Sequence, residues 1–143
     1  MTDASLEEMA QALREAGYRL TRPRLAVLQV LQENSRYLSP TEICERGRAL
    51  CPSLGLVTVY RTMEMLDELG LARRVHGRGN CHGYARADSV SGHYLVCRRC
   101  GQVTEFPCEG LEGIIEAVQQ RSGFAIEEHL LELEGLCPAC QSG

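Results

Sequence analysis

Apolar residues recur at helical spacing four times in the first half of the chain. Leu6, Met9, Ala10 and Leu13 form the first stripe, opened by a capping-box pattern at Ser5-Leu6-Glu7-Glu8 and closed at Gly17. The second begins near Thr21 with Pro23 in its first turn, carries Leu25, Leu28 and Leu31 on one face, and ends around Asn34. The third has Ser39 as cap, Pro40 at the first helical position and Glu42 completing a capping box, with Ile43 and Leu50 as its apolar positions before Cys51-Pro52. After a loop, Val59, Met63, Leu66 and Leu69 share the face of a fourth helix, whose capped start leaves Thr58, Tyr60 and Arg61 exposed and whose end is Gly70.

Beyond Gly70 the period changes to two. Leu71–His76 and Cys81–Ala85 flank Gly77-Arg78-Gly79-Asn80, the pattern of a β-hairpin. Helices followed by a hairpin make a winged helix-turn-helix. From about Asp88 a smaller α/β unit follows. Strands are expected at His93–Cys97 and Gln102–Pro107, then a helix marked by Leu111, Ile114, Ile115 and Val118 and ended by Gly123, then an alternating strand over Phe124–Gly135. The fold expected is α+β: a winged-helix domain over 1–86 and a small α/β dimerisation domain with a structural zinc site over 87–143. A sheet this small buries little alone, which favours pairing with a second copy.

Length and composition narrow the class. The 143 residues suit one medium domain or two small ones, and 44% apolar with 24% charged residues is ordinary globular usage. No apolar run approaches the roughly 18 residues of a membrane span, and Asp3, Glu7 and Glu8 stand where a signal peptide carries positive charge. A cytoplasmic location is expected, with neither a membrane nor a small-molecule substrate as partner. The net charge of −4 divides unevenly: residues 1–80 hold 11 Arg against 10 acidic residues, residues 81–143 hold 4 against 9. All 15 basic residues are Arg, which can grip phosphate or guanine through paired donors, so a local DNA-binding surface is compatible with an acidic chain.

Four of the eight cysteines form Cys97-x-x-Cys100 and Cys137-x-x-Cys140. In a reducing compartment this spacing means metal before disulfide, and four thiolates closed around one ion favour tetrahedral zinc in a structural role. A second set is conceivable. His76 and Cys81 lie on opposite arms of the hairpin and His93 and Glu105 flank the first Cys pair, giving two imidazoles, a thiolate and a carboxylate suited to Zn2+ rather than Mn2+ or Mg2+. Taken singly, Cys81 also fits a small buried apolar residue and His76 a solvated hairpin side chain. Cys44 fits the core of the third helix, Cys51 its end, and Cys108 the segment after the second strand of the C-terminal unit. A thiol switch between Cys81 and Cys108 is a further reading.

Thr58-Val59-Tyr60-Arg61-Thr62, Cys97-Arg98-Arg99-Cys100-Gly101, His129 and Cys137-Pro138-Ala139-Cys140, in that order, resemble the ferric-uptake-regulator family of metal-sensing repressors. The segment Val75-His76 through Cys81-His82-Gly83-Tyr84 is most similar to its zinc-uptake regulators. The resemblance covers roughly residues 8 to 141. It implies an N-terminal winged helix on DNA, a C-terminal unit that dimerises, and a metal site between them that holds the dimer in its DNA-binding form. It places Cys81, His93 and Glu105 at positions where zinc-sensing members have ligands, with His76 as the fourth.

Two departures from the iron-sensing pattern, Arg36-Tyr37 in place of a His between the second and third helices and Ser91-Gly92-His93-Tyr94 in place of a His-rich stretch, shift the expected metal toward zinc. A third site of His93, Glu112 and His129 would have to share His93. On DNA, Tyr60 is expected against a thymine methyl or phosphate, Arg61 on a base edge or backbone, Thr58 on phosphate, and Arg19 in an A/T-rich minor groove. The function expected is a zinc-responsive repressor, binding a palindromic operator as a metal-loaded homodimer to control metal uptake genes, with structural and regulatory Zn2+. Alternatives are an iron- or peroxide-responsive member, or a metal-independent winged-helix interaction module with a zinc staple. No general base or nucleophile motif favours an enzyme.

Overall fold

The computed structural model describes residues 2–76, 82–87, 93–106, 109–127 and 131–142, with the side chains of residues 2–5, 76 and 82 outside the description. Four helices open the chain: α1 (Thr2–Glu15), α2 (Arg22–Glu33), α3 (Pro40–Gly47) and α4 (Leu56–Glu68). A hairpin follows, β1 (Ala72–His76) and β2 (His82–Arg86), with Ala72 opposite Arg86 and His76 opposite His82. The remainder holds β3 (Tyr94–Cys97), β4 (Val103–Glu105), α5 (Glu112–Ser122), β5 (Glu132–Gly135) and the short α6 (Pro138–Gln141).

The helix boundaries have local causes. Thr21 accepts from the Arg24 amide ahead of Pro23. Ser39 accepts from the Glu42 amide at 3.1 Å while the Glu42 carboxylate accepts from the Ser39 amide at 3.1 Å, the reciprocal pair that the sequence pattern predicts. Gly70 and Gly123 take left-handed φ of +74° and +78°, terminating the turns after α4 and α5.

Four expectations need correction. The first helix begins at Thr2, so Ser5 lies inside it rather than capping it. The third ends at Gly47, leaving Leu50 in a turn and 41% exposed. The start of α4 carries no side-chain cap: Gly55 occupies the cap position, so the first-turn amides depend on other partners. Among the described residues, the strand predicted over Phe124–Gly135 is present as Glu132–Gly135. Phe124–Glu127 has no strand pairing and residues 128–130 lie outside the described residues.

Leu13, Val27, Leu28, Leu31, Ile43, Leu54, Val59, Met63 and Leu66 form the main core among α1 to α4. A second cluster, Val75, Ala85, Tyr94 and Val96, joins the hairpin to the C-terminal sheet, with Tyr37 and Val103 packed against it. That sheet has the order β4-β3-β5, antiparallel on one side and parallel on the other, as the α5 crossover requires. Burial alternates along β3: Tyr94 and Val96 face the second cluster while Leu95 is 44% exposed on the outer face. Leu95 is paired in register with Leu133, itself 51% exposed.

Candidate metal centre and nucleic-acid interface

The β3 strand ends at Cys97, and the turn Arg98–Cys100 brings the second thiol of the pair back toward it. Parallel β5 runs beside β3 with Gly135 opposite Cys97, so the chain leaves the sheet at the right point to deliver Cys137, while α6 carries Cys140. The ligand atoms of Cys97, Cys100, Cys137 and Cys140 all lie within 4.8 Å of one another. Cys100 Sγ and Cys137 Sγ are 3.8 Å apart, nearly twice a disulfide length, and all four thiols are free. Four sulfurs about 2.3 Å from a central ion stand about 3.8 Å from each other at the corners of a tetrahedron, so the donor set fits zinc in type, number and spacing.

The electrostatics agree with that fit. Amide groups of Cys100 and Cys137 aimed at Cys97 lower its thiol to about 5; the Cys137 N–H donates to Cys97 Sγ at 3.4 Å. Cys140 is pushed in the opposite direction, to about 12, by thiol hydrogen bonding with Cys137 and by burial. Neighbouring thiols cannot all ionise without a cation among them, and a divalent ion removes that conflict by deprotonating its ligands outright.

Of the second predicted ligand set, Cys81 and the side chain of His76 lie outside the described residues. His93 is fully buried, its ring stacked on Phe106 with centroids 5.4 Å apart, and the Phe106 amide donates to the His93 carbonyl at 3.1 Å. The residue directly opposite Glu105 is Tyr94. His93 and Phe106 lie just beyond that pair, outside the two strands. Burial pushes the Tyr94 phenol up to about 12, with the Glu105 charge adding to the shift and Arg73 opposing it.

Glu112 is exposed in the first turn of α5, where its carboxylate accepts from the Gly110 amide at 3.1 Å; His129 and Cys108 lie outside the described residues. Cys44 and Cys51 are buried, with Cys44 Sγ 3.7 Å from the Leu54 carbonyl and Cys51 Sγ 3.4 Å from Ser53 Oγ. Among the described residues the four-cysteine group is the one cluster of three or more potential metal ligands.

The start of α4 stands out from the body of the chain. Leu56, Val57 and Tyr60 are 41%, 64% and 46% exposed, and Arg61 is exposed beside them. Val59, Thr62 and Met63 on the opposite face are buried, so the helix is held rigidly from behind. Thr58 is half-buried, its carbonyl accepting from Thr62 Oγ1 at 2.7 Å. Arg19 is exposed, and its carbonyl accepts from the Arg24 guanidinium.

Sequence reasoning missed Arg73 and the 35–38 segment. Arg73 on β1 approaches Asp67 of α4 at 3.9 Å and lies close enough to Tyr94 of β3 to affect its titration. The isolated Gly83 within a strand pattern was a usable signal that another part of the backbone comes close there.

An uncapped helix start displayed by a winged helix-turn-helix, joined to a small sheet closed by four thiols, defines the class of winged-helix regulators with a metal knuckle. The sequence profile of the Ferric uptake regulator family matches residues 15–134, and the chain belongs to that family. It is thus a metal-responsive DNA-binding regulator and not an enzyme. It is 33% identical to the ferric uptake regulation protein of Legionella pneumophila over 135 residues, 94% of this chain and 99% of that one. The structure of a zinc uptake regulator complexed with zinc and DNA aligns with a TM-score of 0.81 at 27% identity, covering 99% of this chain and 96% of that one. The crystal structure of the Vibrio cholerae ferric uptake regulator aligns at 0.65 and 32% identity, over 89% and 98% of the two chains. No helix among the described residues is long and apolar enough to cross a membrane.

Proposed function

We propose that the chain is a zinc-responsive transcriptional repressor that binds a palindromic operator as a metal-loaded homodimer and controls metal uptake genes. Residues 1–86 serve as the DNA-binding domain and 87–143 as the dimerisation and metal-binding domain, within a cytoplasmic protein. The observation that carries the reading is the four-sulfur cluster, whose 3.8 Å edge suits tetrahedral zinc, in one chain with an α4 start exposed for a groove. The likeness to a zinc uptake regulator bound to zinc and DNA supports the zinc reading, beside sequence relatives that are ferric uptake regulation proteins.

Cys97, Cys100, Cys137 and Cys140 would hold a structural zinc, which supplies the cross-link between the β3 turn and α6. His76, Cys81, His93 and Glu105 would hold the regulatory zinc. They come from the hairpin on one side and β3–β4 on the other, so binding there favours the arrangement in which the two domains are docked. Glu112 and His129 are the remaining candidates for a third site. Tyr60 would pack against a thymine methyl or a phosphate, Arg61 would donate to a base edge or the backbone, Thr58 to a phosphate, and Arg19 would enter the minor groove.

Native mass spectrometry of the reduced protein through a graded chelator titration tests the reading. The expected result is a dimer with two zinc ions per chain, one lost early together with DNA affinity and one late. A single tightly held zinc and DNA affinity indifferent to added metal would overturn it in favour of a metal-independent module.

A further inference from the structure

The segment Ser35–Leu38, between α2 and α3, belongs to neither sheet but pairs with an edge of each. On one side the Val103 amide donates to the Ser35 carbonyl and the Tyr37 amide to the Gly101 carbonyl, both at 3.0 Å, making an antiparallel bridge of Arg36 with Gln102. On the other side Leu38 and Tyr84 exchange amide hydrogen bonds of 2.9 and 2.8 Å. These four bonds cover the free edge of β2 and the start of β4, stitching the hairpin to the C-terminal sheet.

The Tyr37 ring sits at the centre of this seam. A Cβ placed on Gly83 of β2 would lie 2.6 Å from Tyr37 Cδ2 and 3.0 Å from the Leu38 carbonyl oxygen, so the hairpin has no room for a side chain there. A Cβ on Gly101 would lie 3.6 Å from Tyr37 Cε1, and Gly101 holds φ at +79°, a conformation that favours glycine. Gly101 directly follows Cys100, and its amide donates to the Cys97 carbonyl at 2.9 Å. The acceptor for the Tyr37 amide is therefore part of the turn that carries two of the four thiols. The ring also packs against the cluster of Val75, Ala85, Tyr94 and Val96.

We propose that Tyr37 is a positioning residue: seated between Gly83 and Gly101, it fixes the orientation of the DNA-binding domain against the four-cysteine unit. The inference rests on the DNA-binding reading above and extends it to a tie made of protein alone, independent of the regulatory ion. In a dimer the two α4 helices must reach half-sites at a set spacing, so a small rotation at the seam displaces both from register.

The test uses full-length zinc-loaded protein with Tyr37→Ala and Gly83→Ala, which disturb the same contact from opposite sides. Backbone amide exchange is followed at Leu38, Tyr84 and Val103. Affinity is measured for a duplex selected from a random pool by the zinc-loaded wild type, with zinc per chain and dimer mass as controls. Each variant is expected to speed exchange at these amides and weaken DNA binding about tenfold while keeping its zinc and its partner, and the double variant to lose less than the product of the two. Unchanged protection, or a loosened seam with unchanged DNA affinity, overturns the proposal. If Tyr37→Ala does not fold, Gly83→Ala decides by itself. A wild type that selects no duplex refutes the DNA-binding reading, and amide exchange then decides the seam separately.

Discussion

The Cys137 amide points at the Cys97 sulfur from 3.4 Å, so the two Cys-x-x-Cys segments are joined by the chain's own polarity across forty residues of sequence. That donor and the Cys100 amide lower the Cys97 thiol to about 5, which favours its thiolate, the ligating form. Cys97→Ser is expected to remove the tightly held zinc and to lower the melting temperature sharply, because metal affinity at such a site is folding free energy. Cys44→Ser, which buries a hydroxyl in place of a thiol in the helical core, is expected to cost about 1–3 kcal/mol and leave the zinc content unchanged. Native mass spectrometry paired with calorimetry separates the two, and equal zinc content in both variants would argue against the knuckle.

Under the proposed function, Cys81 is the residue that would tell a regulatory site apart from the knuckle. Cys81→Ser is expected to abolish the zinc dependence of DNA binding while one zinc per chain survives chelation at the four cysteines. Fluorescence anisotropy on a selected duplex, with and without zinc, reads this. Wild-type zinc dependence in the variant would remove Cys81 from the ligand set and leave His93 and Glu105 to be explained by their packing against Phe106 and Tyr94.

The exposed start of α4 makes a separable prediction. Arg61→Ala is expected to weaken binding by about 1–3 kcal/mol with relaxed preference at one base pair if its guanidinium reads a base edge. If it holds a phosphate instead, the loss is uniform across sequences and the slope of log affinity against log salt falls by about 1. Glu64→Gln, one helical turn from Tyr60 on the exposed face, serves as the surface control. Arg61→Ala binding with wild-type affinity and salt slope would take this residue out of the interface.

The helical half of the fold was legible because its signals are local. Ser39, Pro40 and Glu42 specify a helix start within four residues, and the structure forms both bonds of that box. Thiol spacing is equally local, and the return from Cys100 to Cys137 needs only the parallel pairing of β3 with β5. The errors fall where a long-range partner decides. Leu131 and Leu133 alternate in sequence as they should in a strand, yet Phe124–Glu127 upstream forms no ladder, since among the described residues no strand pairs with it. Ser35–Leu38 carries no strand pattern of its own, and its pairing with Tyr84 and Gly101 is fixed by segments 46 and 64 residues away.

The outer face of the C-terminal sheet bears on the dimer. Leu95 and Leu133 stand side by side on β3 and β5, both about half exposed, and with Leu136 and Pro138 they line a groove of about 480 Å³. Ile114 and Val118 of α5 are also exposed, at 57% and 48%, so the unit leaves much of its apolar surface in contact with water as a single chain. Burying one such Leu contributes about 1.5–3 kcal/mol, and a guanidinium introduced at its place must be desolvated in an interface. Leu133→Arg is therefore expected to shift the dimer toward monomer at micromolar concentration without unfolding it, since Leu133 is 51% exposed in its own chain. Sedimentation velocity measures the change, and zinc content per chain should stay constant. Because a palindromic operator needs two linked α4 helices, DNA affinity should fall with the dimer fraction and recover as protein concentration rises. A Leu133→Arg protein that remains dimeric would place the interface elsewhere on this domain.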